Sequence, residues 1–400
     1  MLLLLLFAFV AYVLAARFIL ARFRSVTRDI LFALLNAPPF FVVFFRHPPI
    51  AIIYFALVIL CYAMFHLFAG DDGWKPWVAF STPIAALIFA RYIFPLIYVH
   101  FAQYWYVVAV GMPQFFGISY LAFRNSYLVL QVRNGVVKKP GFWGYMAYSF
   151  FLPTMFVGPI NPYSNFVSAF NETPPAIPIG RSAMRLLIGL VKFEFVGNVL
   201  SRLTYAGLLR DDHYHPWIDL PIAVVFYYLY LYFNFSGFCD IAIGAAGLIG
   251  IPVAENFDNP FAARNGRDFW NRWHITLSEY MRDVFFSPVS KFFVRLFGPA
   301  NANHAIAFTI LLVFLIIGVW HGAGWNYLAY GATQALAVVT THYYTIGLKR
   351  WLGRKGFAAY NSNRWIHAVA IVFTFCYMAA SLFFFANSFP EMQQIFRSLR

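Results

Sequence analysis

Two histidines hold most of the chemistry this chain offers. Asn271-Arg272-Trp273-His274 and Trp320-His321-Gly322 each set an imidazole beside aromatic rings, 47 positions apart. Imidazole takes up and returns a proton near neutral pH, and in an apolar setting it is costly to charge, so it marks a functional site before it marks packing. One histidine at the end of an apolar run reads as a structural donor. Two of them, bracketed by Trp or Gly, read as proton-transfer machinery. His213 and His215, beside Asp211 and Asp212, offer a metal-binding alternative, but Pro216-Trp217 follows at the start of an apolar run, and a polar loop is the simpler reading. Cys61, Cys239 and Cys376 stand singly in apolar stretches, so neither a disulfide framework nor a metal site is predicted.

The elements that must position these histidines are set by hydropathy. With 62% hydrophobic and 11% charged residues, the chain has too little polar surface to cover a soluble globule. Apolar runs long enough to cross about 30 Å of hydrocarbon, roughly 20 residues each, recur from Leu2 to Ala386. They predict an all-α polytopic membrane protein with on the order of ten to twelve crossings, forming a single integral-membrane domain over residues 1–400. Leu2 to Leu20 lacks the basic start and small-residue cleavage site of a signal peptide and reads as a retained helix. Arg17, Arg22, Arg24 and Arg28 after it place the N-terminus outside by the positive-inside bias. The net charge of +14 sits in short inter-helix segments, Arg264 to Arg295, Lys349 to Lys355 and the Arg397/Arg400 tail. This is the pattern of membrane topology and anionic lipid contact rather than of a nucleic-acid partner.

Residues 1 to about 100 read as ordinary spans. Beyond about 110, Pro and Gly fall inside or beside apolar stretches, as at Gly117, Pro153 and Gly158-Pro159; backbone broken at membrane depth must be buried in protein or line a cavity. Asp240, between two apolar runs, needs a partner, either an Arg of the following segment or a His. It serves as an interhelical tether or as a polar group of the cavity. Glu255 to Lys291 mixes charge with aromatics, the pattern of amphipathic interfacial helices, and Trp270, Trp273 and His274 at i, i+3 and i+4 share one helix face, which points His274 inward with the tryptophans. Ala305 to Val319 is a strongly apolar helix that ends at Trp320-His321-Gly322.

Val253-Ala254-Glu255-Asn256-Phe257, Phe269-Trp270-Asn271-Arg272-Trp273-His274 and Trp320-His321-Gly322 occur in the order seen in the membrane-bound O-acyltransferase family, which the chain resembles from about residue 110 to 345. That divides it into N-terminal helices (1–105), a catalytic core (110–345) and C-terminal helices (346–400). Gly117 to Arg124, Pro153-Thr154 and Gly158-Pro159-Ile160 are most similar to the branch that transfers D-alanyl groups to teichoic acid, and the 400-residue length suits it better than the longer alginate O-acetyltransferase branch. Asn161-Pro162-Tyr163 departs from the acidic-basic pair expected after Gly-Pro-Ile.

The resemblance implies a ring of helices around a thin centre pierced by a tunnel. Through it an acyl thioester from the cytosol would be passed to an external hydroxyl. The donor would be a phosphopantetheinyl carrier protein or acetyl-CoA, with no permanently bound cofactor. The acceptor would be a cell-envelope polymer or a small membrane protein, in a bacterial cytoplasmic membrane. On this reading His321 and His274 are the catalytic residues, His321 as base and His274 positioning or polarising the thioester. Asn271, Arg272, Trp273, Trp320 and Asp240 would line the substrate path. Neither motif offers a Ser or Cys nucleophile for a covalent intermediate. A transporter is the rival class, but it predicts paired half-chain repeats, and both histidine motifs occur once. A structural scaffold would leave both histidines without a purpose.

Overall fold

The computed structural model describes residues 2–44, 48–97, 115–170, 177–209 and 215–398. Asp211, Asp212 and His213 lie outside them; His215 is exposed, its backbone N–H donating to Asp219 at 2.6 Å. The described residues are 82% helical, with no strand among them, and the chain is a multi-pass membrane protein. Six of the described helices are long and apolar enough to cross a bilayer: Ser25–Val43, Pro48–Phe68, Lys75–Ile97, Trp217–Ile249, Pro299–His321 and Arg364–Ala386. Leu2–Arg22 is a further apolar helix of 21 residues. Ile179–Leu190 and Ser287–Phe297 are parts of longer helices that continue through π-helical turns over 179–201 and 275–297.

The chain forms two compact units. The first comprises Met1–Gly189 and Phe238–Ala254. Its centre is Arg124, only 1% exposed, on the helix Ile118–Arg133. Its guanidinium donates to the Thr154 carbonyl (3.0 Å) and hydroxyl (2.6 Å) and to the carbonyls of Ser149 (2.8 Å) and Tyr148. Five fixed donors suit a buried turn rich in carbonyls, and the segment flagged by Pro153 is thereby pinned rather than loose. Asn161 pins a second segment in the same way, its amide donating to Pro252 O (3.1 Å) and accepting from Ala254 N (3.1 Å). Gly250, at φ +101, ends the long helix Pro216–Ile249, with Ile251 N bonding Ala246 O and Gly250 N bonding Gly247 O in the Schellman pattern.

The second unit comprises Leu190–Gly237 and Glu255–Arg400. We label its principal helices α1 (Gly266–Trp270), α2 (Ile275–Met281), α3 (Ala302–His321), α4 (Trp325–Ser362, broken at Gly353) and α5 (Arg364–Ala386). α3 and α4 form a hairpin whose backbones touch: a Cβ on Gly331 would collide with the Phe314 carbonyl. Overpacking of this kind costs about 1–3 kcal/mol. Gly331→Val is expected to lower the melting temperature in detergent, whereas Ala332→Val, exposed on the same helix, should leave it unchanged.

Candidate active site

Both histidines lie in the second unit, and each is placed by a helix end. Asn265 caps α1, its side chain accepting from Asp268 N at 2.9 Å. α1 stops at Trp270, so Trp270, Trp273 and His274 do not share a face of one helix, contrary to what their spacing predicts. Instead the chain turns, Phe257 and Trp273 pair as an isolated antiparallel bridge, and α2 begins after His274. All three side chains are nonetheless buried, at 7%, 6% and 4% exposure. Trp270 is held by its indole N–H donating to Gln334 (3.2 Å) on α4, and Gln334 donates to Ser381 (2.7 Å) on α5. Trp273 stacks on Phe269 at 5.5 Å and meets Phe257 edge-on at 5.1 Å.

His274 itself sits at φ +47, ψ +52, the left-handed region that a non-glycine residue occupies only when its surroundings enforce it. The enforcing residue is Asn256, 1% exposed. Its backbone carbonyl accepts from Ile275 N (3.0 Å), and its side-chain oxygen accepts from Thr276 N (3.1 Å) and Thr276 Oγ1 (2.8 Å). A backbone N–H can only donate, so that side-chain atom is the amide oxygen. His274 Nδ1, 3.2 Å from the same oxygen, must therefore carry the proton. Nε2 is left with its lone pair, buried and without a hydrogen-bond partner. Burial pushes the imidazole down to about 3, with the nearby charge of His321 adding to the shift, so His274 is neutral at physiological pH.

The His274 ring meets Phe235 in a T-shaped contact, with centroids 4.8 Å apart, and Trp320 in a tilted one at 6.4 Å. Trp320 in turn lies 4.5 Å from the His321 ring, which is walled by Phe385 (4.9 Å) and Tyr330 (5.9 Å). His321 is the last residue of α3 and is half-buried.

Of the residues expected on the substrate path, Trp320 and Trp273 thus join the histidines in one aromatic setting. Asn271 is exposed on the turn after α1. Arg272 donates to Asp268 (2.8 Å) and to the Asp258 carbonyl (3.2 Å), which anchors that turn. Asp240 belongs to the first unit and pairs with Arg185 at 3.0 Å, an arginine of the preceding rather than the following segment. Asn256 was legible only as part of a motif; its role in fixing a tautomer comes from a contact across 18 positions.

Residues 104–383 match the model of the membrane-bound O-acyltransferase family. The chain is 30% identical over 305 residues to a teichoic acid D-alanyltransferase of Streptococcus thermophilus, covering 70% of each chain. It is 29% identical over 288 residues to one of Bacillus subtilis, covering 69% of this chain and 70% of that protein. A peptidoglycan O-acetyltransferase of Helicobacter pylori is 29% identical over 233 residues, 57% of this chain and 42% of its own.

Proposed function

The chain belongs to the membrane-bound O-acyltransferase family, and from that premise we propose that it moves an activated acyl group, foremost D-alanyl, from a cytosolic thioester to a hydroxyl of an external cell-envelope polymer. The host membrane is a bacterial cytoplasmic membrane, and the acyl group passes through a tunnel that reaches the two histidines. What supports this reading above all is the histidine pair around Trp320, one imidazole reachable and one buried with a bare Nε2.

In the reaction the acceptor oxygen attacks the thioester carbonyl carbon while His321 takes the hydroxyl proton. The tetrahedral intermediate then expels sulfur, which takes that proton back, leaving an ester and a free thiol. His274, with its proton committed to Asn256, accepts a hydrogen bond at Nε2 and orients a donor group; this favours positioning over polarisation of a carbonyl. The donor we propose is a phosphopantetheinyl carrier protein. Such carriers are acidic, and the basic segments Arg264 to Arg295 and Lys349 to Arg354 offer the complementary charge. The onward acceptor is the polymer itself or a small membrane protein.

Supplying membranes that contain the protein with labelled D-alanyl carrier protein or labelled acetyl-CoA tests the donor. Label entering envelope polymer from the carrier alone is expected. Label from acetyl-CoA alone would move the assignment to O-acetyl transfer, and label from neither would favour transport.

A further inference from the structure

We propose that the cleft between α4 and α5 is a binding site for an anionic phospholipid, with the phosphate held by Arg264 and His367 and an acyl chain lying along the cleft. The cleft has a volume of about 970 Å³, at the upper end of ordinary ligand sites. The break at Gly353 creates it. In a straight helix Tyr344 and Tyr360 would stand about 24 Å apart, yet their hydroxyls meet at 3.1 Å because the last turns of α4 fold back.

The walls are apolar in effect even where the residues are polar. Thr341 and Thr345 donate to carbonyls within α4, and Tyr377 donates to Thr333 O, each at 2.7 Å. Their methyl groups and ring are then what faces the cleft, alongside Val369 and Phe373 of the spanning helix α5.

The end formed by Arg264 and His367 is different. Arg264 Nη1 donates to His367 Nε2 at 3.2 Å, which puts the ring proton on Nδ1; that N–H and the remaining N–H groups of the guanidinium are the donors this end can offer a phosphate. Asp268 is the nearby carboxylate, but it lies 3.7 Å from Arg264 Nε and gives its shorter contact, 2.8 Å, to Arg272. Between Thr340 and Ala370 the chain carries Lys349, Arg350, Arg354, Lys355 and Arg364 and no Asp or Glu. A site with hydrocarbon walls and a basic mouth at the start of a spanning helix suits a phospholipid of net negative charge better than one whose phosphate is balanced by its own headgroup cation. The inference does not depend on the acyl-transfer reading.

Native mass spectrometry of the purified full chain, with phosphatidylglycerol and phosphatidylcholine of equal chain length in competition, tests it. Retention of phosphatidylglycerol at least fivefold over phosphatidylcholine is expected, falling to parity in Arg264→Gln and in His367→Asn. Ala370→Trp, which fills the cleft, should lose both lipids, with a melting curve to verify folding. Equal retention of the two lipids by the wild type, or selectivity unchanged in folded Arg264→Gln and His367→Asn, would overturn the site.

Discussion

Replacing His321 by alanine is expected to lower acyl transfer by about 10²–10⁴-fold, the range that a positioned general base contributes, while leaving the protein inserted and folded. The folding part of the expectation rests on position. His321 is half-buried at the end of α3, and its ring contacts with Trp320 and Phe385 are peripheral to the Gly331 and Phe314 contact that joins α3 to α4. The chemical part rests on its place beside Trp320 and next to the His274 pocket, where a half-buried imidazole can take the acceptor's proton. Initial rates at saturating donor, together with a melting curve of the purified variant, separate the two. Full activity would remove His321 from the reaction, and lost activity with lost folding would leave only a structural role.

The second large effect is expected at a residue that need not touch substrate. Asn256→Ala removes the oxygen that holds the proton of His274 on Nδ1, so the ring is free to change tautomer and orientation, and the rate should fall about 10²-fold. It also leaves Thr276 N without its acceptor, a cost of about 1–3 kcal/mol in stability. Thr276→Val is the control. It removes one hydrogen bond to Asn256 but leaves the His274 contact, and should keep the rate within a few-fold of wild type. Equal rate losses in the two variants would show that Asn256 matters only for local folding.

His321 and Asn256 differ in how far a linear reading reaches them. Hydropathy fixes the class of protein because hydrocarbon imposes its own length and polarity, and the pair of histidines is conspicuous because charge is scarce around it. The segment from Glu255 to His274 is different. Helical spacing places Trp270, Trp273 and His274 on one face, but the helix ends at Trp270. The backbone then follows the pairing of Phe257 with Trp273 and the hydrogen bonds of Asn256, which no local pattern encodes. The left-handed conformation of His274 is the product of those distant contacts. Asp240 carries the same lesson: an isolated carboxylate in an apolar run announces that it needs a cation, yet its partner Arg185, 55 positions earlier, is chosen by helix packing.

Ester formation by proton transfer through His321 is the step on which the proposed function stands or falls. Labelled acyl thioester supplied to membranes holding equal amounts of wild type or His321→Ala, followed by measurement of base-labile label in the envelope polymer, probes it without intermediaries. Ester label with the wild type and background with the variant is the expected result; equal labelling by both proteins would contradict it.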